Sequence, residues 1–286
     1  MQRALSQVDV FGCRPFGGNP VAVVLDGVDL DGETMQAIAR WTNLSETTFV
    51  LPPQAAGASY RVRIFTPRQE LPFAGHPSIG TAHALLEAGR IRPDAQGRLL
   101  QECAAGLLPL QVRGEGEARQ LRVRLPEARL RPLDAGAQSR LESALAAALT
   151  PAACVNVGPT WIVAGLASAE AVRALSPQLE ALAALSRELD AVGISVYGPS
   201  TEPGFALAVR SFVPADGIPE DPVCGSGNGA IGAYLQQRGA LPARAYASSQ
   251  GRECGHDGRV EVELDDEDRL WIGGGARTAI RGMLEA

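Results

Sequence analysis

Hydrophobic residues along the chain mostly form short runs separated by turns, a pattern that is typical of strands. The predicted strands cover residues 5–10, 21–25, 44–50, 60–65, 99–112, 121–125, 154–166, 193–197, 205–213, 244–249, 259–264 and 270–272. Helical periodicity is predicted over residues 31–43, 77–87, 138–149, 168–188 and 229–238. A chain with many strands and few helices is predicted to adopt an α+β fold.

Two of these helices, residues 77–87 and 229–238, have almost no charged face. A helix that is apolar all round is expected to be buried on all sides. Because each of the two lies among many short strands, we predict two α+β halves in which strands surround a central helix.

The two apolar helices also belong to an internal repeat. Pro214 follows Pro67 by 147 residues, and each proline closes an Arg-x-Phe-x-Pro segment. Gly225 follows Gly75 by 150 residues at the start of each helix. Such self-similarity predicts two copies of one strand–loop–helix unit.

The repeat sets the predicted domain boundaries. The N-terminal barrel domain is expected to contain residues 1–126 plus 277–286, and the C-terminal barrel domain residues 127–276. The strands after Leu121 and Leu270 would be equivalent, and each could cross from its own half into the other. The polar stretch 129–139 is expected to connect the halves.

Composition limits the class of protein. The 286 residues carry a formal net charge of −6, and 45% of them are hydrophobic. This acidic balance argues against a nucleic-acid-binding surface, so we expect no nucleic-acid partner. No basic segment followed by an apolar run stands near residue 1, so we expect no secretion, and no apolar run approaches the ~18 residues that a membrane span needs. We therefore expect a cytoplasmic protein without a membrane partner.

Residue usage excludes several cofactor chemistries. All 26 basic residues are arginine, so the chain has no lysine for a Schiff base or for a phosphate-binding P-loop. The five cysteines are widely spaced, which is typical of a reduced protein. The three histidines stand at positions 76, 83 and 256, too dispersed to predict a zinc site.

The starts of the two apolar helices are candidate anion sites. Each start is glycine-rich, so backbone N–H groups near Gly75 and Gly225 can turn toward a ligand where the helix dipole favours negative charge. If the halves are pseudo-symmetric, both starts would face one cleft and bind the carboxylate arms of a small substrate.

Side chains suited to proton transfer at carbon stand near these helix starts. The candidates are Glu46, His76, Asp221, Cys224 and Ser226. One group would remove a C–H proton, hydrogen-bond donors would hold the resulting anion, and an acid would return the proton. Structural roles stay open: Glu46 as a surface residue at a strand end, His76 as a helix cap, Asp221 as a turn cap and Cys224 as a small buried hydrophobe.

Several motifs resemble the PhzF-like phenazine-biosynthesis family, which shares the diaminopimelate epimerase fold. The matching segments are residues 8–11 (VDVF), 16–24 (FGGNPVAVV), 43–47 (NLSET), 70–83 (ELPFAGHPSIGTAH), 220–223 (EDPV), 250–252 (QGR) and 272–274 (IGG). The resemblance runs nearly end to end, and the segment around His76 and the Ser-Glu-Thr segment are its most specific parts.

The resemblance implies two barrel-like halves, each around a central helix, with the active site between them. It implies a homodimer, no metal and no organic cofactor. The family's proton-shuttling glutamate falls on Glu46, its histidine on His76, its aspartate on Asp221 and its serine on Ser226. Gly75, Gly225, Cys224 and Asn19 are the further candidate substrate-binding residues.

The best-known reaction of the family is the isomerisation of trans-2,3-dihydro-3-hydroxyanthranilate. The leading hypothesis is therefore a cofactor-independent isomerase that moves a proton between carbons of a small, carboxylate-bearing substrate. Where the family usually has Thr-Gly-Ser-Ala, this chain has Cys224, Gly225, Ser226 and Gly227.

Two other functions remain open. Racemases of the same fold use two cysteines, one at each helix start, and Cys224 matches the second. Ala74 occupies the first position, which excludes a two-thiol mechanism but leaves a racemase or epimerase using Cys224 opposite Glu46 or His76. A non-catalytic protein that binds a small molecule is the third hypothesis.

Overall fold

The structure, a computed structural model, describes residues 1–286 except the side chain of Glu117. The chain forms two compact units. Unit 1 contains Met1–Pro126 with Gly273–Ala286, and unit 2 contains Glu127–Ile272.

The first part of the chain supplies the elements β1 (Gln2–Val10), β2 (Asn19–Val24), α1 (Gly32–Thr42), β3 (Glu46–Leu51), β4 (Tyr60–Phe65), β5 (Glu70–Leu71), α2 (Gly75–Glu87), β6 (Arg98–Cys103), β7 (Gly106–Arg113) and β8 (Gln120–Arg124). The remaining elements are β9 (Arg129–Pro132), α3 (Ala135–Leu145), β10 (Ala153–Asn156), β11 (Thr160–Gly165), α4 (Ala169–Arg173), α5 (Leu179–Glu188), β12 (Gly193–Pro199), β13 (Leu207–Val213), β14 (Ile218–Asp221), α6 (Gly225–Gln237), β15 (Ala245–Gln250), β16 (Gly258–Leu264) and β17 (Leu270–Glu285).

The strands of unit 1 form a closed ring. Neighbours pair in the order β17, β1, β2, β3, β4, β6, β7, β8, and β8 pairs again with β17. The pairs β2–β3 and β4–β6 are parallel, whereas β17–β1, β1–β2, β3–β4, β6–β7 and β7–β8 are antiparallel. Because the ring is closed, each of these strands has a paired neighbour on both sides.

Helix α2 fills the interior of this ring. Its residues 75–85 are all buried, and it contacts β1, β2, β3 and β8. Gly80 allows this close packing, because a methyl group there would overlap the side chain of Val21. The lack of a charged face thus correctly predicted a helix buried on all sides.

Helix α1 packs on the outer face of the same strands. Asp31 caps its first turn by accepting a hydrogen bond from the Thr34 N–H at 2.7 Å. Met35 and Ala39 bury its apolar side against a cluster that includes Phe49. The helix ends at Asn43 in the left-handed conformation, as is common at helix C-termini.

Unit 2 repeats the pairing order of unit 1. Strands β9, β10, β11, β12, β13, β15 and β16 pair successively, with β11–β12 and β13–β15 parallel. Helix α6 lies among β10, β11, β12 and β16, and its residues 225–235 are all buried. The predicted repeat is therefore visible as the same strand order around an equivalent helix.

Two sequence expectations in unit 2 were wrong. Residues 168–188 form two helices, α4 and α5, instead of one, because Pro177 cannot continue a helix. Residues 129–139 are not a connecting linker. They form β9 and the start of α3, and β9 pairs with β10.

Helices α3 and α5 of unit 2 are amphipathic. Leu141 of α3 and Leu182 of α5 are buried in one apolar cluster with Ile194 of β12. Among the described residues, no helix is both long and apolar enough to span a bilayer.

Candidate functional site

The first cluster of predicted site residues lies in unit 1, where β2, β3 and α2 begin. Glu46 is the first residue of β3, Asn19 the first of β2, and His76 the second of α2. His76 Nε2 lies 3.3 Å from Glu46 Oε2, and His76 Nδ1 lies 3.4 Å from Asn19 Nδ2. The structure therefore brings three of the predicted residues together.

Parallel pairing explains why these residues meet. Val21 on β2 is the register partner of Glu46 on β3, so the two strands begin at the same edge of the ring. Thr48, two residues after Glu46 on the same face, bonds to Thr81 of α2 at 2.8 Å between hydroxyls. Glu46 consequently points to the face of β3 that carries α2.

Burial sets the protonation of this cluster. His76 is 3% exposed and Glu46 9%. Burial lowers the pKa of His76 to about 3, although a hydrogen bond to the Pro20 carbonyl opposes the shift. The imidazole is therefore neutral at physiological pH, and Glu46 faces a ring with one N–H and one lone pair instead of a cation.

The start of α2 adds backbone donors beside the cluster. Ala74 occupies the N-cap position and provides no side-chain cap, and the first turn has no acidic residue. The N–H groups of Gly75 and His76 lie at the positive end of the helix dipole. This start can bind an anionic group of a ligand without competition from a capping carboxylate.

The second cluster lies in unit 2, between β14 and α6. Asp221, the last residue of β14, is buried, and its Oδ1 accepts a hydrogen bond from the Val223 N–H at 3.2 Å. Burial raises the pKa of Asp221 to about 6, and a hydrogen bond with the Cys224 thiol partly offsets the shift. Asp221 can therefore exchange a proton near neutral pH.

Cys224 serves as the N-cap of α6. Its Sγ accepts a hydrogen bond from the Gly227 N–H at 3.2 Å and lies 3.6 Å from Ser226 Oγ. Burial raises the pKa of this thiol well above its usual value, and the charge of Asp221 raises it further. Cys224 is therefore a neutral thiol at physiological pH, which disfavours a thiolate base.

Two residues of this cluster were missed as site candidates. Trp161 of β11 donates from Nε1 to Ser226 Oγ at 3.1 Å. Gln250, the last residue of β15, donates to the Asp221 carbonyl at 2.9 Å and accepts from the Cys224 N–H at 3.1 Å. Gln250 also accepts from the amide of Asn228 at 2.8 Å. One buried glutamine thus ties the Asp221 loop to the first turn of α6.

The predicted residues therefore fall into two clusters. Asn19, Glu46, Gly75 and His76 lie in unit 1, and Asp221, Cys224, Gly225 and Ser226 lie in unit 2. His83 is a buried histidine farther along α2, 3.5 Å from Glu87. Among the residues that the structure describes, no group of three or more His, Cys, Asp or Glu side chains is arranged to hold a metal ion.

Gly227 provides a test of the packing around Cys224. A methyl group at this position would overlap Ser195 Oγ and lie 2.8 Å from Ser211 Oγ. Gly227→Ala is expected to lower the free energy of unfolding by roughly 1–3 kcal/mol, because overpacking outweighs the better helix propensity of alanine. Urea unfolding measures this change.

The matching rescue is Ser195→Ala in the Gly227→Ala background. Removing the Ser195 hydroxyl relieves the closest overlap but also removes its 2.8 Å hydrogen bond with Ser211, so the double variant is expected to recover part of the lost stability. A double variant no more stable than Gly227→Ala alone would contradict the steric explanation.

Comparisons with known proteins identify a family that the chain resembles along most of its length. The family model described as "Phenazine biosynthesis-like protein" (PhzC-PhzF) matches residues 8–282. The chain is 38% identical to "Antisense-enhancing sequence 1" of Schizosaccharomyces pombe, with 98% of each protein covered. It is 35% identical to the trans-2,3-dihydro-3-hydroxyanthranilate isomerase of Pseudomonas aeruginosa, with 90% of this chain and 89% of that protein covered.

Among solved structures, the phenazine biosynthesis protein of the PhzF family from Bacillus anthracis matches with a TM-score of 0.84. The identity is 25%, and all of both chains is covered. This match confirms the α+β fold with two barrel-like units, and the names of the curated relatives support an isomerase. With the family model matching residues 8–282, the chain belongs to the phenazine biosynthesis-like protein family.

Proposed function

We propose that this protein is a cofactor-independent isomerase that moves a proton between two carbons of a small, carboxylate-bearing substrate. The observation that carries the proposal is the buried carboxylate of Glu46, 3.3 Å from the neutral imidazole of His76 at an uncapped helix start. The proposed reaction is similar in class to that of the trans-2,3-dihydro-3-hydroxyanthranilate isomerases named among the relatives.

Glu46 is the proposed base and acid. Its carboxylate would take a proton from one carbon and, once protonated, deliver it to another. Because His76 is neutral, it would not lower the basicity of Glu46 through a positive charge. The amides of Gly75 and His76 would bind the carboxylate or enolate oxygens of the substrate.

The second cluster is proposed to contribute to the same reaction. With a pKa of about 6, Asp221 would hold or exchange a proton on a polar group of the substrate. Ser226, held by Trp161, and the amide of Gly225 would be further hydrogen-bonding groups, with Cys224 as a neutral contact.

The racemase hypothesis is less well supported than the isomerase. It requires a thiolate at Cys224, and burial raises the pKa of this thiol far above the physiological range. A neutral thiol is a poor base at carbon. The expected homodimer, the cytoplasmic location and the independence from cofactors all stay predictions.

Proton NMR in D₂O tests the proposal. The protein is incubated with trans-2,3-dihydro-3-hydroxyanthranilate and with a panel of amino and hydroxy acids. Deuterium is expected to enter a substrate carbon other than the one that loses its proton, which is the signature of isomerisation. Exchange confined to a stereogenic α-carbon would indicate a racemase instead. Tight binding of a carboxylate without any exchange would contradict both and indicate a binding protein.

A further inference from the structure

Each unit of the chain contains the same arginine–glutamate pair just before its central helix. In unit 1, Arg63 donates from Nε and Nη2 to the two carboxylate oxygens of Glu70, at 2.7 Å each. In unit 2, Arg210 donates to Glu220 from Nε at 2.9 Å and from Nη2 at 2.8 Å. Arg210 follows Arg63 by 147 residues and Glu220 follows Glu70 by 150, the two spacings of the internal repeat. The pair is therefore part of the repeated unit.

The two pairs differ in burial. The side chains of Arg63 and Glu70 are 32% and 37% exposed, whereas those of Arg210 and Glu220 are 8% and 10% exposed. Burying an ion pair removes both charges from water, and this cost offsets much of their attraction. The burial of the second pair therefore points to a role other than stability.

Arg210 is anchored to elements on the outer face of β13. Its Nη1 donates to the Leu175 carbonyl at 2.7 Å, just after α4 ends at Arg173. Its guanidinium lies 4.9 Å from the ring centroid of Phe212. All three guanidinium nitrogens thus have an acceptor, and Glu220 is attached to a fixed cation. The pair consequently holds β14 against β13.

Asp221 lies on the opposite face of β14 from Glu220, because successive residues of a strand point to opposite faces. Its register partner is Ser211 of β13, which packs against Gly227 of α6. Asp221 therefore faces the start of α6, with the ion pair behind it. In unit 1 the residue after Glu70 is Leu71, so the pair of that unit has no carboxyl at the equivalent position.

We propose that Arg210 and Glu220 are positioning residues for the proposed isomerase reaction: the pair fixes Asp221 toward α6, and the negative charge of Glu220 favours the protonated form of Asp221. The inference rests on the proposed function in one respect, the part given to Asp221 in the reaction. Burial is the main cause that raises the pKa of Asp221 to about 6, and the charge of Glu220 raises it further.

Other ionisable side chains lie on the elements around the pair and Asp221. They include Arg173 of α4, Asp216 in the turn before β14, Cys224 at the start of α6, and Glu253 and Cys254 in the turn after β15. None of these residues is changed in the variants below. A change in the pKa of Asp221 can therefore be assigned to the pair.

Carbon-13 NMR titration of protein labelled at the aspartate γ-carboxyls tests the electrostatic role, with the Asp221 signal assigned by its absence in Asp221→Asn. Glu220→Gln is expected to lower the pKa of Asp221 by about one unit, because an anion is lost and the charge of Arg210 is no longer balanced. Glu70→Gln breaks the equivalent pair of unit 1 and is expected to leave this pKa unchanged. An unchanged pKa in Glu220→Gln, or an equal fall in Glu70→Gln, would overturn the proposal.

The double variant Arg210→Met/Glu220→Gln guards against a failure of Glu220→Gln to fold. It removes both charges and leaves no unpaired buried cation, a replacement that proteins often tolerate. The pKa of Asp221 is expected to lie between those of the wild type and Glu220→Gln. A pKa at or above the wild-type value would contradict the role given to the charge of Glu220.

Amide hydrogen exchange in the double variant tests the anchoring. The Val223 N–H donates to Asp221 Oδ1 at 3.2 Å, so its exchange reports how firmly Asp221 is held. Without the pair, β14 loses its attachment through Arg210, and the Val223 amide is expected to exchange at least about tenfold faster. Exchange at the wild-type rate would overturn the positioning role.

These measurements need no turnover, so they test the pair separately from the isomerase function. For an isomerase that uses Asp221, the limb of the rate–pH profile that reports this residue is expected to move to lower pH in Glu220→Gln, by the same amount as its pKa. The rate measured is deuterium incorporation into the substrate. A limb that stays in place while the pKa falls would contradict the part given to Asp221 in the reaction, and with it the positioning role of the pair.

Discussion

Replacing Glu46 with glutamine is expected to reduce deuterium incorporation into the substrate about 10²- to 10⁴-fold, the usual contribution of a general acid–base group. Glutamine keeps the shape of the side chain and its contact distance to His76, but it cannot accept a proton from carbon. The loss should appear in kcat with little change in KM, because the missing interaction belongs to the transition state. Initial rates of exchange by proton NMR provide the measurement.

The chain contains a matched control for this variant. Glu87 also lies beside a buried histidine on α2, with its Oε1 3.5 Å from His83 Nε2. Glu87→Gln removes a carboxylate from a similar pair outside the proposed site, and its exchange rate is expected to equal that of the wild type. Equal losses in both variants would indicate damage to α2 instead of loss of the base.

Replacing Asp221 with asparagine is expected to stabilise the protein at pH 8 while reducing its activity. Burial raises the pKa of Asp221 from an ordinary 3.8 to about 6, so the folded protein holds an unfavourable charge above that pH. A difference of about two units corresponds to roughly 3 kcal/mol, and asparagine removes this cost. Chemical denaturation in urea at pH 8 measures the gain.

Because the pKa of Asp221 is raised on folding, the stability of the protein depends on pH in a predictable direction. Between pH 3.8 and about 6 the folded state binds more protons at Asp221 than the unfolded state does. The contribution of this residue to stability is therefore greatest below pH 3.8 and is lost as the pH rises through 6. The advantage of Asp221→Asn should grow over the same interval and level off above it.

Asp265, also in unit 2, provides a control whose pKa is shifted in the opposite direction. Burial alone would raise its pKa, but hydrogen bonds from Trp271 and Arg269 lower it below its usual range. Asp265→Asn is therefore expected to lower stability at pH 8. A destabilising effect of Asp221→Asn at pH 8 would show that its hydrogen bonds outweigh the charge burial.

The buried central helices were the most predictable part of the fold. A helix without a charged face has nowhere to lie except inside, so α2 and α6 could be placed from composition alone. The two-helix structure of residues 168–188 was missed because amphipathic periodicity continued across Pro177, although proline interrupts a helix.

The candidate site was predictable only in part. Residue type and position next to a helix start identified His76 and Asp221. The burial of Glu46 could not be derived from the sequence. The solvent exposure of a residue at a strand end depends on elements that are distant along the chain. Gln250 stands in the 250–252 segment that matches the family, but its contacts could not be predicted, since its partners Asp221 and Asn228 are more than 20 residues away.

The ring of unit 1 has a consequence for synthesis on the ribosome. Strand β1 is made first, but its neighbour β17 from Gly273 onward is made only after all of unit 2. The strands of unit 1 therefore lack their last partner until the end of the chain has emerged. Until then, β1 and β8 each keep an unpaired edge, the feature of a sheet that is most prone to pair with another chain.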